Sequence, residues 1–573
     1  MFNSLNAGEW SPLLEGRTDL QKYQSAARVL KNMLPLKFGG AKRRPGTHFV
    51  AEVKTSAKAT ALIPFEFSKS QAYIIEVGDQ YMRFFKEEGR IENPPGTPVE
   101  IASPYLEADL FKISYAQSAD VLYLACAGYA PRKLVRTSDT VWTLSTVAFT
   151  SSPWGAGPFP AAVNLYEQRS WWANTTSAPD TLWGSQTGSY ENLAQGTGLP
   201  DEGIEFTLSS RKLNAIEWLA WQRALIAGTA GQEHFISGGS PDEPITPSNP
   251  NAKAPTKYGS ASVAPVEAGN AILFLQRAGR KLREILIDPS ADAYTGPFAD
   301  LSLLAEHITE GGIVQMAYQQ ELDSIVWAIR GGGALLSMTY ERQQDVVAWA
   351  RHFTGTAQDA SDGKFESVAV IPHPDQDQDQ AWVVVKRTIG GATKRYVEFL
   401  DTKGGFYGAL NVDSALTYSG AAVATITGLG HLEGQTVDIV GNGAVFPQQV
   451  VSGGQITGLS PTVTQAEVGL HYDSEIETMR PEAGAVTGTA QGAPKRWSEL
   501  FVRLNKSLGV KIGDDTIPFR KASDPMDAPP PIFTGDKRVT QVGWNRDGTV
   551  TIKQEQPLPL HVLAIFGVLE VGE

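Results

Sequence analysis

The chain has 573 residues, 42% hydrophobic and 19% charged, with 56 glycines, 35 prolines and a net charge of −13. That length exceeds what one core serves, the composition suits a folded rather than a disordered chain, and the glycine and proline content marks many turns. The acidic balance argues against sequence-independent DNA binding through displaced counterions, and a single cysteine, Cys126, excludes an internal disulfide and a cysteine-rich structural zinc site.

Met1-Phe2-Asn3-Ser4-Leu5-Asn6 lack the charged start and apolar run of a signal peptide. No stretch approaches the ~18 apolar residues of a membrane helix, so a soluble protein made in the cytosol is expected. Thr18-Asp19-Leu20-Gln21 then has capping-box spacing, and Tyr23, Ala26, Ala27, Leu30, Met33 and Leu34 recur on one helical face before Pro35. This predicts a helix over 18–34 within an N-terminal arm, 1–60.

From residue 61 the period changes to two, and pairs of alternating segments recur. Ala61–Phe67 precedes Ala72–Val77, Phe111–Gln117 precedes Asp120–Ala125, Ala161–Tyr166 precedes Ser170–Ala173, and Leu213–Leu219 precedes Arg223–Ala227. Three further pairs begin at Ala271, Ile313 and Glu366, the last ending with Ala381–Val385. The early starts at 61, 111, 161 and 213 lie 50 to 52 residues apart. A strand pair at such a period is the mark of four-stranded blades, so a mainly β protein with a β-propeller-like body of about seven repeats over 61–410 is expected. A long β-meander with accidentally even spacing is the alternative.

Short strands between glycine-rich turns make 411–467 a small inserted β module, and 468–573 reads as a C-terminal β domain. Within the latter, Asp547-Gly548 between Arg538–Trp544 and Thr549–Lys553 predicts a tight hairpin, and Pro529-Pro530-Pro531 a stiff connector.

Signatures of catalysis are sparse. There is no Walker loop, no His-Glu-x-x-His and no Gly-x-Ser-x-Gly; Gly184-Ser185-Gln186-Thr187-Gly188 has its serine one place early and reads as a turn. The eight histidines (48, 234, 307, 352, 373, 431, 471 and 561) never fall at ligand spacing. Asp375, Asp377 and Asp379 match the first ligands of a calcium loop, but Gln380 and Lys386 stand where glycine and glutamate belong, so a solvated loop between two strands is the preferred reading. Carboxylate pairs defined only by spatial separation stay open. Lys42-Arg43-Arg44 reads as a solvated turn before Pro45-Gly46, with DNA or an acidic partner as the sharper alternative. Trp171, Trp172, Trp218 and Trp221 are expected to pack between blades rather than form a sugar platform. No catalytic, cofactor-binding or metal-ligating residue is assigned, no cofactor is expected, and the chain reads as a non-enzyme.

One family resemblance runs along the chain. Asn6-Ala-Gly-Glu-Trp-Ser-Pro-Leu-Leu-Glu-Gly-Arg-Thr-Asp-Leu-Gln-Lys-Tyr23 and Lys42-Arg-Arg-Pro-Gly-Thr-His-Phe-Val50 resemble the opening of the tail nozzle (tail tubular) proteins of short-tailed bacteriophages, which are related to head completion and packaged-DNA stabilisation proteins. Tyr115–Leu124, Pro131–Leu134, Tyr166–Arg169, Leu182–Ser185, Tyr190–Asn192, Pro530–Asp536, Gly543–Gly548 and Gln556–Leu560 continue the likeness in order. The 413–467 segment is similar to a small β-barrel of some of these proteins, itself similar in fold to one in ubiquitin-activating enzymes. The resemblance implies a virion tail protein, assembled in the host cytoplasm as a homo-hexameric tube below the portal's adaptor (gatekeeper) ring. Such a tube carries double-stranded DNA without sequence-specific binding, retains packaged DNA, helps attach tail fibres or spikes, and has no catalytic residues. Six copies at −13 each sum to −78, which would suit a lumen that repels phosphate. Tracts near 237–260 and 521–531 are candidate inward loops. A tail-associated glycan depolymerase and a fibre-docking or adhesin module are the alternatives.

Overall fold

The computed structural model describes residues 2, 4–209, 213–240, 243–288, 293–295, 298–356, 359–482, 489–525, 528–539 and 543–572. Seven consecutive antiparallel sheets follow one another along the chain. They are Ala61–Ser68, Gln71–Gly78, Tyr81–Lys86 with Glu100–Ala102; Ser114–Ser118, Val121–Cys126, Tyr129–Ser138 with Val141–Thr146; and Ala162–Tyr166, Arg169–Ala173, Thr181–Gly184 with Ile204–Thr207. The fourth and fifth are Ile216–Trp221, Leu225–Thr229, Glu233–Ser237 with Asn251–Lys253, and Val266–Ala268, Ala271–Leu275, Leu282–Asp288 with Ala293–Thr295. The sixth is Ile313–Gln319, Ile325–Arg330, Leu335–Glu341 with Val346–His352.

The seventh takes Lys364–Pro372, Asp379–Ile389 and Ala392–Leu400 from late in the body, and its outer strand, Thr47–Glu52, from before it. This N-terminal strand closes the ring. The propeller therefore reaches beyond the expected 61–410, because the seventh sheet's outer edge would be unpaired without a segment assigned to the arm.

Closure is visible in the packing. Alternate residues of a strand face opposite sides of its sheet. Leu122, Leu124 and Cys126 thus enter the core between the first and second blades, and Tyr123 and Ala125 enter the next. Successive cores separate each pair of neighbours in turn, and the last joins Trp382, Val384 and Phe399 of the seventh blade to Leu62, Ile74 and Phe85 of the first. Seven blades with seven cores between them make a ring; a linear meander would have one core fewer. The fold is mainly β with a seven-bladed β-propeller body.

The expected helix over 18–34 is not formed. Tyr23–Ser25 is a single 3₁₀ turn, Ala26–Lys31 and Met33–Pro35 are strands, and Thr18 accepts a hydrogen bond from Gln491 instead of capping a helix. The reason lies in a register shift between Ala27 and Val29 against the strand Ser474–Thr478. That bulge inverts the alternation, so Ala26, Ala27, Leu30 and Lys31 are all buried and imitate a helical stripe. Ala26–Lys31 also continues the sixth blade outward, pairing parallel to Val346–His352, and neighbours on both sides outweigh the modest helix propensity of a short segment.

Arm and C-terminal region form one platform rather than two domains. Phe2, Leu5, Trp10, Tyr23 and Ala27 share a core with Ile476, Trp497, Leu500, Ile552 and Ile565. Ala41–Arg43 pairs with His561–Val571, which pairs with the long strand Lys495–Ser507. The predicted hairpin around Asp547-Gly548 is absent: Phe533–Val539 pairs with Lys495–Ser507, whereas Thr551–Gln554 pairs with Ser474–Thr478 in the other sheet. The Asp-Gly turn connects two sheets because the hydrophobic faces of its flanking strands belong to different ladders. Residues 540–542 of that segment lie outside the described residues. Pro529–Pro531 lies outside the regular elements and leads into the strand Phe533–Val539.

The inserted module spans Asp413–Leu470. Asp413–Val423, Val463–Leu470, Thr436–Gly441 and Ala444–Val450 form one ladder, and Ile426–Thr427 with Gln455–Ile456 a second, over a core of Leu429, Leu432, Val437, Ile439 and Val468. Its first strand lies parallel to the closing strand at Ala415 and His48, which places the module on the seventh blade's outer edge.

One ion pair fastens these parts. Arg44 reaches Asp413 through two hydrogen bonds of 2.8 and 2.7 Å, and both side chains are fully buried. Asp413→Ala leaves a buried guanidinium without its counter-charge. A stability loss of about 3–5 kcal/mol is expected, read as a shift of the urea midpoint at unchanged slope.

Candidate functional site

Arg43 and Arg44 were expected in a solvated turn or against DNA, and both expectations are overturned. Arg43 donates to the carbonyls of Leu558 at 2.9 Å and Tyr472 at 2.6 Å. Arg44 donates to Asn32 Oδ1 and to the carbonyls of Pro45 and Phe353, each at 3.0 Å, besides Asp413. The Tyr472 ring lies against both guanidinium groups, 4.2 Å from Arg43 and 4.0 Å from Arg44, and its hydroxyl donates to the Arg44 carbonyl. Burial opposes the Arg44 charge, but Asp413 outweighs it and raises the pKa. Lys42 pairs with Asp323 at 3.0 Å. Gly46 has no room for a side chain, since a Cβ would stand 1.9 Å from the Val412 carbonyl oxygen. The basic triplet is a clamp joining arm, propeller, module and platform.

Two further polar joints surround it. Glu9, buried, holds Arg351 and His307 at 2.7 Å each and accepts the Leu30 N–H at 2.8 Å. His471 stands between Asp438 of the module at 2.6 Å and Asp473 of the platform at 2.8 Å. Burial works against an imidazolium there, but the hydrogen bonds and charges of the two aspartates prevail and push its pKa up to about 9. Phe49 of the closing strand stacks on His431 at 3.9 Å, and His431 is pushed down to about 4 by burial.

At the axis, first strands of successive blades are stitched by side chains. Gln117 exchanges two hydrogen bonds with the Glu66 backbone, Asn164 donates to the Leu219 carbonyl, and Gln315 and Ser367 link the sixth, seventh and first blades. Glu217 lies on one of these strands, and burial raises its carboxyl. A cavity of about 290 Å³ at one end of the axis is lined by Glu66, Tyr318, Glu321, Gln376 and Asp379. Asp379 is committed to the N–H groups of Gln320 and Glu321, at 2.8 and 2.9 Å.

The remaining motifs resolve as structure. Ser185 is buried, accepts the Ser170 N–H and donates to the Gln186 carbonyl, as a turn residue would. Trp171, Trp172 and Trp218 pack between blades as expected, while Trp221 is 43% exposed beside Tyr166. Folding gathers His373, Asp375 and Asp377 within metal-binding reach, a grouping that linear spacing missed. The Lys403 ammonium already sits 2.7 Å from both aspartates, and Asp379 points elsewhere, so the loop joining Lys364–Pro372 to Asp379–Ile389 is cross-linked by a lysine. Of the candidate inward loops, the first joins the outer strands Glu233–Ser237 and Asn251–Lys253 of the fourth blade, with 241–242 outside the described residues. In the second, Arg520 donates to the carbonyls of Pro525 and Ala528, with 526–527 outside them. Among the described residues no helix is long and apolar enough to cross a membrane.

One of the buried carboxyls that sequence reasoning overlooked is Glu467. It accepts the Phe406 N–H of the loop entering the module and lines a cavity of about 180 Å³ with Phe406, Thr417, Tyr418 and Gln465. Burial, with the charge of Asp401, pushes its pKa up to about 7 despite backbone hydrogen bonds.

No family model matches the chain, and no curated protein matches it. Among solved structures it is similar to the β-propeller domain of Cps50 (Swd1) of Myceliophteria thermophila, at 10% identity over 61% of this chain and 98% of that one, TM-score 0.37. It is also similar to the WD40 domain of Neurospora crassa Pan2, at 9% over 61% and 91%, TM-score 0.35. A third is YCF48 bound to D1 peptide, at 14% over 62% and 97%, TM-score 0.34. These likenesses are too distant to bear on function, and the propeller rests on its own ladders and cores.

Two pH responses of opposite sign follow. The His471 contribution is complete below the ordinary histidine pKa and disappears as pH rises through about 9. His471→Gln is therefore expected to lower stability by about 1–3 kcal/mol at pH 6 and much less at pH 10. Glu467 instead penalises the fold as pH rises from the ordinary glutamate range through about 7. Glu467→Gln is expected to raise the melting temperature at pH 8 and leave it nearly unchanged at pH 4, measured by calorimetry.

Proposed function

We propose that this chain is a structural protein of a short-tailed bacteriophage virion, the tail nozzle. On this reading a hexamer extends the DNA-ejection channel below the adaptor ring, retains packaged DNA and helps attach fibres. One observation supports it above the rest: the segments that carry the family resemblance build the joints of the fold and not a catalytic pocket. Trp10 and Tyr23 of the first segment are buried in the platform core, and Glu9 forms a buried joint to the sixth blade. The second segment supplies Arg43, Arg44 and the closing strand Thr47–Glu52. Arg169 of a later segment is buried and donates to the carbonyls of Ser185, Glu202 and Pro200.

The −13 charge agrees with a conduit that DNA passes without sticking, because a lumen of like charge lacks the cations that phosphate would bind. Electron microscopy of the purified chain with its adaptor is expected to show sixfold rings with an axial channel wide enough for duplex DNA. Threefold particles with glycan-cleaving activity would instead identify a depolymerase.

A further inference from the structure

Two of the 13 tryptophans are exposed, Trp221 and Trp544. Trp544 lies under the Arg496 guanidinium, whereas Trp221 has an aromatic neighbour, Tyr166, with ring centres 6.0 Å apart and planes tilted by 37°. Trp221 ends the first strand of the fourth blade and Tyr166 the first strand of the third. The Tyr166 hydroxyl donates to the Arg223 carbonyl at 3.0 Å, which ties the turns after these two strands together. Two neighbouring blades thus present a joined pair of rings, with the indole open to solvent.

The turn that follows Tyr166 opens onto a hollow of about 440 Å³. Glu167, Gln168, Thr187, Asp201 and Thr246 line it, with the buried Arg169 behind them. The turn also fixes the walls. Arg169 donates to the carbonyls of Ser185, Glu202 and Pro200, which holds the last loop of the third blade. Glu167 accepts the Ile245 N–H at 2.9 Å, which holds the last loop of the fourth. The Gln168 carbonyl accepts the Gly188 N–H at 2.8 Å, and the Asp201 carbonyl accepts the Thr187 N–H at 3.0 Å. A hollow held in this way is organised before a ligand arrives, so little ordering cost is left for binding. The side chains of Gln168, Thr187 and Asp201 are exposed and take part in none of these bonds.

We infer that this hollow and the Trp221–Tyr166 pair beside it are a binding site for a neutral oligosaccharide. A pyranose ring has an apolar face of C–H groups and a rim of hydroxyls that both donate and accept. An exposed indole backed by a second ring suits the face. The Gln168 amide and the Thr187 and Thr246 hydroxyls donate and accept, and the Asp201 carboxylate accepts from adjacent hydroxyls, which suits the rim. The volume falls within the roughly 300–1,000 Å³ of small-ligand sites. Charge selects against the other classes. A phosphorylated or sulfated ligand would meet Glu167 and Asp201, while Arg169 already spends its donors on carbonyls. A divalent cation would stand beside that guanidinium. Cleavage of a glycoside takes two carboxyl groups, and here Glu167 is committed to the main chain, so the site holds a sugar and does not cut it. The inference is independent of the nozzle reading.

A glycan array that carries neutral, sialylated and phosphorylated oligosaccharides, probed with the full chain, tests it; the strongest neutral binder then goes into titration calorimetry. Trp221→Ala and Asp201→Ala are each expected to weaken binding about tenfold, the loss of one stacking face or one set of hydrogen bonds, with unchanged melting temperature. Trp221→Phe is expected to retain most of the affinity, and Trp544→Ala to bind as wild type. An array on which no neutral glycan is bound overturns the site, as do binding confined to charged glycans, binding that Trp221→Ala leaves unweakened, and release of reducing ends from the bound sugar. A chain that ignores every glycan yet forms sixfold rings would overturn the site and leave the nozzle standing. A chain that binds a neutral glycan through Trp221 but forms no such ring would do the reverse.

Discussion

The buried pair of Arg44 and Asp413 is the contact on which the arrangement of parts depends. An ion pair withdrawn from water gives back much of its attraction as lost hydration, so it adds little net stability over apolar residues of the same shape. Its value is positional. Arg44 can satisfy its donors only with Asn32 of the arm, Phe353 after the sixth blade and Asp413 of the module all in place. Tyr472, held between Arg43 and Arg44, adds the start of the platform. Any other placement of these segments strands a charge in the interior, a penalty of several kcal/mol. The clamp therefore rejects wrong arrangements more than it strengthens the right one.

Much of this was legible in sequence, and the failures have identifiable causes. The seven strand pairs were readable because propeller strands alternate between two inter-blade cores, which keeps the period at two. Trp171 and Trp172 point to adjacent cores for that reason. The segment 18–34 misled because a bulge at Arg28 placed apolar residues at helical spacing, and a bulge has no local signature. The platform was invisible as a unit because its ladders join residues more than 400 positions apart, such as Leu30 with Ile476.

The joints were harder than the blades. Arg43 and Arg44 look like surface charge in a linear reading, since nothing nearby announces Asp413 or Tyr472. Pro45-Gly46 was the available hint: glycine there is required by the Val412 carbonyl and not by a solvated turn. Glu467 and His471 gave no signal, because the first is shifted mainly by burial in the folded module and the second by Asp438 and Asp473, and no motif announces either environment. The acidic loop at 375–379 was read correctly as a loop between strands, but Lys403, the cation that holds it, enters from beyond the next strand.

Closing a ring with a strand from the other end of the body raises a question of cost. Pairing Thr47–Glu52 with Ala392–Leu400 must gather a segment several times longer than one blade. Loop-closure entropy grows only logarithmically, at about 0.6 kcal/mol per doubling, so a sevenfold longer loop costs about 1.7 kcal/mol more. The closing strand buries Ala51 with Val53 beside it, stacks Phe49 on His431, and gives Thr47 a 2.6 Å hydrogen bond to the buried Glu398. One buried apolar side chain contributes about 1.5–3 kcal/mol, so these contacts offset the longer closure. Long-range closure is then a modest thermodynamic burden with a large structural return. The strand that seals the propeller continues directly from Arg44, so the ring and the clamp must form in register with each other, and the module and platform are placed by the same few residues that close the body.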